Sequence, residues 1–260
     1  MSTPDPLVFI RRTAIAVPAP ELFAWHLRPG AFERLLPPGD GTRITSREGR
    51  IEANTMRVQL SVPVLGPIRQ TWTIRHEGYV PDERFVDVME RGPFRSWRHE
   101  HRAVPTGEGT SELVDRIEYE LPLGPAGRIA GRPIVERKLA PMFAHRHAIT
   151  AGDLALHARL ALAPCDIHVT GATDEAGIQV VALLLTGGHR VTSDGHIEGY
   201  EQPDRAPEAV EVTLTSSSAR VRRAGAEQQD RDVSRTGDRV EDPRRILAVV
   251  AELMSDVDRA

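Results

Sequence analysis

The chain has 260 residues, 40% hydrophobic and 27% charged, an ordinary globular composition with room for one large domain or two small ones. A net charge of −4 and a pI near 6.2 argue against a nucleic-acid partner. One cysteine, Cys165, excludes an intrachain disulfide and any multi-cysteine metal site, and no apolar run approaches the roughly 18 residues that span a bilayer. The opening MSTPDPLVFIRR lacks a basic stretch followed by an apolar one, so no secretory signal is read and a cytoplasmic protein is expected.

Residues 7–17 are apolar and β-branched and end at a proline, which reads as a strand. Residues 18–37 carry helical spacing, with Leu22, Phe23 and Trp25 and then Phe32, Leu35 and Leu36; Pro29-Gly30 cuts them into two short helices. From 42 to 123 short strand-like runs follow one another at about 42–47, 50–62, 67–79, 84–91, 95–104 and 110–121. A long helix is expected over about 126–160, where Leu139, Met142, Phe143, Arg146, Ile149, Leu154 and Leu156 recur at helical spacing. The order predicts an α+β fold, a helix-grip antiparallel sheet wrapped on a long helix, with space between them for a ligand.

The pattern changes at Pro164. Residues 165–192 read as strand, helix and strand, a βαβ unit, and 208–215 as a further strand. Residues 222–242 are polar without periodicity and read as a loop, and 243–256 as an amphipathic helix. The expected domains are 1–162, the ligand-binding part, and 163–260, a small α/β Rossmann-like remnant.

Period-two alternation supplies the candidate site. Trp97, His99 and His101 share one strand face, and Asp115, Ile117 and Tyr119 share another. His99 and His101 offer hydrogen bonds or acid–base chemistry near neutral pH, and Asp115 needs a partner if buried. Arg146 on the long helix is the expected one. The set Asp115, Tyr119 and Arg146 then reads either as the polar end of a cavity or as a salt bridge pinning helix to sheet. Gln70, Trp72, Phe23, Met89, Phe94 and Phe143 would line the apolar part, or simply form core. Two histidines at i, i+2 also suit a metal, with Asp115 as third ligand, but the preferred reading has no metal and no cofactor. His145 and His147 point roughly 200° apart on a helix and do not share an ion.

The strings ERGPFRSWRHEHRAV (90–104), LVDRIEYELPLGPAG (113–127) and LAPMFAHRHAIT (139–150) resemble the START-like (SRPBCC) superfamily, nearest its cyclase/dehydrase branch. The resemblance covers residues 7–160 and implies the helix-grip fold with a cavity under the long helix. The second half resembles the epimerase-type Rossmann segment fused to some of these domains. VTGATDEAG (169–177) stands where that class carries TGxxGxxG, with Gly171 and Gly177 matching and Asp174 replacing the middle glycine. A carboxylate there is expected to repel a diphosphate. The Tyr-x-x-x-Lys pair of that class is absent, because Lys138 is the only lysine and Ile134 stands four residues before it.

The expected function is binding of a small apolar or aromatic molecule, such as a polyketide, quinone or lipid. The alternative is a cyclase or dehydratase acting in the same cavity, with His99, His101 or Asp115 moving protons. A nicotinamide-dependent epimerase or dehydrogenase is the remote third. The C-terminal segment is expected to pack on the first domain or to form a homodimer.

Overall fold

The computed structural model describes residues 5–37, 39–207, 209–223 and 230–255. The chain forms two compact units, Met1–Ala24 with Leu36–Ala151, and Trp25–Leu35 with Gly152–Ala260. In chain order the first elements are β1 (Leu7–Ile15), α1 (Ala19–Leu27), α2 (Ala31–Leu35), β2 (Arg43–Glu48), β3 (Arg57–Leu65), β4 (Ile68–Val80), β5 (Arg84–Arg91), β6 (Ser96–Gly107), β7 (Thr110–Glu120) and α3 (Gly124–Leu160).

Strands β2 to β7 follow one another as an antiparallel meander, and β1 closes the sheet by pairing with β7, Leu7 opposite Tyr119 and Ile15 opposite Ser111. The order is β1-β7-β6-β5-β4-β3-β2. Because side chains alternate along a strand, one face collects Trp97, His99, His101 and Ala103 from β6, all buried. The same parity on β7 buries Asp115, Ile117 and Tyr119. At 37 residues α3 is about 55 Å long. Its Leu139 and Phe143 pack with Leu7, Trp97, Ile117 and Tyr119, a helix laid on the inner face of a sheet. The strand expected from residue 50 begins only at Arg57. Residues 51–54 form a turn in which Asn54 takes a left-handed conformation (φ +54°) and its N–H donates to the Ile51 carbonyl.

The second unit holds β8 (Asp166–Thr170), α4 (Glu175–Thr186), β9 (Arg190–Ser193), β10 (Val210–Leu214), β11 (Ser218–Arg223), β12 (Arg231–Ser234) and α5 (Glu241–Ser255). Its sheet has the order β12-β11-β10-β8-β9. β8 pairs parallel with β9 and β10, whereas β10–β11 and β11–β12 are antiparallel. The polar stretch read as a loop over 222–242 thus contains the end of β11, all of β12 and the start of α5; its residues 224–229 lie outside the described residues. Only Ala219, Val221 and Val233 mark the buried face there. The outer face is charged, with Arg220 bonded to Asp232, so the strands carry almost no hydrophobic signal.

A buried ion pair ties α2 and the end of α3 inside this unit. Arg34 Nε and Nη2 donate to Asp153 Oδ2 and Oδ1 at 2.8 and 2.9 Å, and both side chains are wholly buried. Arg34 Nη1 also donates to Gln179 Oε1 at 2.9 Å, and Arg244 Nη2 to Asp153 Oδ1 at 3.1 Å. Removing one partner strands the other's charge in the interior. Asp153→Ala is expected to cost about 3–5 kcal/mol in urea unfolding. Cutting the exposed Arg12–Glu112 pair should cost no more than about 1 kcal/mol. Equal losses from the two changes would refute this contrast.

Candidate functional site

Register brings together on the inner face of the first unit what lies far apart in sequence. His76 of β4 stands opposite Asp87 of β5, Asp87 opposite His99 of β6, and His101 opposite Asp115 of β7. Asp115 is buried and meets three imidazoles. Its Oδ1 is 3.0 Å from His99 Nε2 and 2.8 Å from His101 Nδ1, and its Oδ2 is 2.8 Å from His147 Nε2. His147 reaches on through Nδ1 to Thr13 Oγ1 on β1 at 2.8 Å. On the other side Asp87 Oδ2 lies 3.2 Å from His101 Nε2 and 3.7 Å from His99 Nδ1, and Asp87 Oδ1 lies 3.0 Å from His76 Nε2. His99 and His101 therefore each span two carboxylates.

Next to this network is a cluster of aromatic rings. Trp97 lies 4.8 Å from Phe94, 6.2 Å from Tyr119 and 6.4 Å from Trp72, centroid to centroid. Phe94 also meets Trp72 and Tyr119 edge-on, at 5.9 and 5.7 Å. Met89 packs against the same core. Phe143 links cluster and network, because its ring meets His99 edge-on at 5.2 Å. The Tyr119 hydroxyl is buried without a hydrogen-bond partner.

The structure thus gathers Trp72, Met89, Phe94, Trp97, Tyr119 and Phe143 into one apolar group, and His99, His101 and Asp115 into one polar group. Gln70 is half-buried opposite Val62 of β3 and, among the described residues, makes no side-chain hydrogen bond. The direct contacts of Asp115 are the three imidazoles rather than the expected Arg146, whose guanidinium lies over the Phe143 ring, 5.3 Å from its centroid, and still feels the Asp115 charge. Sequence reading missed His76, Asp87, His147 and Thr13. A signal existed for three of them. Asp87 shares strand parity with Phe85 and Met89, and His76 with Trp72 and Ile74, so each puts a polar group on an apolar face. His147 follows Phe143 by four residues and shares its helix face.

Burial pushes the His99 imidazole down to about 4, and the neighbouring His101 charge acts the same way. Burial also opposes charge on His101, but Asp115 and Asp87 outweigh it and hold that imidazole up at about 9. Asp115 stays well below the usual carboxylate range, since His101 and His99 more than offset its burial. Asp87 is lowered likewise, burial being outweighed by His76 and His101.

The glycine-rich turn of the second unit departs from what a dinucleotide requires. Gly171 N donates to Asp194 Oδ2 at 2.7 Å and Ala172 N to Asp194 Oδ1 at 2.8 Å, so a carboxylate of the chain itself holds the amides that would face a pyrophosphate. Asp174, expected to repel a diphosphate, caps α4 by accepting from Gly177 N at 2.6 Å and pairs with Arg235. Gly171 itself is required, at φ +80°, because a Cβ there would lie 2.1 Å from the Leu214 carbonyl oxygen. These residues do not fit a nicotinamide dinucleotide.

The histidine shifts set a stability profile for the metal-free protein. From an ordinary value of 6.5, His101 is raised to about 9, so its contribution is full below pH 6.5 and is lost as pH rises through about 9. His99 is lowered to about 4, so its contribution is full above pH 6.5 and is lost as pH falls through about 4. Urea midpoints should therefore peak near pH 6.5, with each histidine contributing a slope of at most about 1.4 kcal/mol per pH unit. The alkaline decline should vanish in His101→Asn. A wild-type profile flat between pH 6.5 and 9 would mean that His101 carries no extra proton.

A nucleoside-diphosphate sugar epimerase from Corynebacterium glutamicum is 24% identical, with a TM-score of 0.61 over 80% of this chain and 46% of that one. The chain therefore shares that fold and spans less than half of that protein's length. Norcoclaurine synthase of Thalictrum flavum aligns at 15% identity and TM-score 0.49 over 61% of this chain and 99% of that one. An aromatase/cyclase from a Streptomyces species aligns at 17% and 0.47 over 60% and 97%. No curated protein matches the chain, and no helix among the described residues is long and apolar enough to cross a membrane. The family described as polyketide cyclase/dehydrase and lipid transport matches residues 15–145, just over half of the 260 residues. The chain belongs to that family.

Proposed function

We propose that the first unit binds a small apolar or aromatic molecule carrying a hydroxyl or carbonyl oxygen, with Tyr119 as its hydrogen-bond partner. The observation that carries this reading is the buried, unpartnered Tyr119 hydroxyl among Phe94 and Trp97. A buried hydroxyl left without a partner costs about 1–3 kcal/mol, and a guest oxygen would remove that cost. Trp72, Trp97 and Phe143 would form the walls. Phe94 sits on the bend of residues 92–95 rather than on a strand, and like Met89 it is only half-buried, so these two side chains are the ones a guest displaces on entry. The family's own description, cyclase, dehydrase and lipid transport, supports a guest of this class.

A second reading is cyclisation or dehydration of a guest held in the same place. One contact favours it: the edge-on packing of His99 against Phe143 sets an imidazole beside the ring cluster. It predicts that His99→Gln abolishes turnover of a poly-β-ketone while leaving probe binding intact.

Binding is tested by quenching of tryptophan emission with a dihydroxyanthraquinone probe, since two of the three tryptophans, Trp72 and Trp97, belong to the cluster. Saturable quenching is expected. Tyr119→Phe should weaken it about tenfold while leaving the empty protein at least as resistant to urea as wild type. Unchanged affinity together with lost stability in Tyr119→Phe would assign the hydroxyl to the scaffold instead.

A further inference from the structure

We propose that Asp87, His99 and His101 bind one divalent first-row transition-metal ion, with Asp115 as the carboxylate that orients both imidazoles from behind. The argument starts from which nitrogen faces which oxygen. Asp115 Oδ1 accepts from the far nitrogens, Nε2 of His99 at 3.0 Å and Nδ1 of His101 at 2.8 Å. A proton on His99 Nε2 leaves its Nδ1 with a lone pair in the neutral ring, whereas His101 Nε2 carries a proton in the metal-free protein and donates it to Asp87 Oδ2, a proton that a metal ion would displace. Both of these nitrogens face Asp87 Oδ2, at 3.7 and 3.2 Å. Once that proton is released, two ring lone pairs and a carboxylate oxygen converge on one space that a metal cation would fill.

The spacing suits a metal. Ligand atoms about 2.0–2.1 Å from a tetrahedral ion lie about 3.4 Å apart, and the two measured separations bracket that value. All three ligand atoms fall within 4.8 Å of one another. A carboxylate hydrogen-bonded to the far nitrogen of a ligating histidine is the usual outer shell of such sites, because it fixes the tautomer and ring orientation. Here one carboxylate does this for both rings, and His147 and Thr13 hold it in turn. A separate observation points the same way. Asp87 Oδ1 is buried and lacks a hydrogen bond, although His76 Nε2 is 3.0 Å away out of alignment, so Asp87 has acceptor capacity that the protein does not use.

Two imidazoles and one carboxylate select a borderline ion such as Zn2+, Co2+ or Fe2+ rather than Mg2+ or Ca2+. Three protein ligands also leave coordination positions open to water or to an oxygen of a guest. The third ligand is Asp87 rather than the Asp115 that strand parity suggests.

The test uses the full chain, stripped with a chelator and titrated with Co2+. Visible ligand-field bands saturating at one Co2+ per chain are expected, as is their displacement by one equivalent of Zn2+. Asp87→Ala and His101→Ala should abolish the bands, and Asp115→Asn should weaken Co2+ binding 10- to 100-fold. The wild-type titration does not depend on how the variants fold, and a Zn2+-dependent rise in Tm provides a second reading on unaltered protein. Absence of a saturable band on wild type would overturn the proposal, as would a band that persists in Asp87→Ala, and would leave protons as the only cations in the cluster.

Discussion

A buried carboxylate with no partner would be intolerable in the middle of a sheet, and most of the first unit's inner face can be read as the answer to Asp115. Three imidazoles from β6 and α3 meet its two oxygens. Each contact constrains an element: His99 and His101 fix β6 against β7, and His147 fixes the long helix above them. Because His147 also reaches Thr13, β1 joins the same arrangement. The polar network thus gives the sheet and helix a particular register, a job that apolar packing alone does with less specificity.

The network and the ring cluster divide the inner face between them, and Phe143 is their common boundary. On one side every polar atom of Asp115 is satisfied. On the other the Tyr119 hydroxyl is not. An apolar wall with one unpaired donor suits a guest that is mostly carbon and carries an oxygen. The family's range, from cyclases to lipid transport, is compatible with such a wall.

The second unit closes the turn between β8 and α4 with its own side chains. The amides of Gly171 and Ala172 are held by Asp194, and the amide of Gly177 near the start of α4 by Asp174. Arg235 compensates the charge of Asp174. The turn thus caps itself, and the antiparallel strands β10 to β12 complete the sheet.

Much of this was legible in the chain itself. Period-two alternation identified the inward faces of β6 and β7, the Pro29-Gly30 break separated the short helices, and helical spacing marked α3. These are local properties, since a side chain's face depends on its position along its own element. The strands β11 and β12 escaped because their buried face is carried by three small or β-branched residues beneath a charged exterior. The composition of the polar network escaped for a different reason. Asp87 faces His76 only because the β4–β5 pairing shifts register between Thr73 and Ile74, it meets His99 through the β5–β6 ladder, and a slip of one residue would turn the whole strand over. Sequence therefore determined which residues point inward; the pairing of strands distant along the chain, which no local pattern encodes, decided which of them meet.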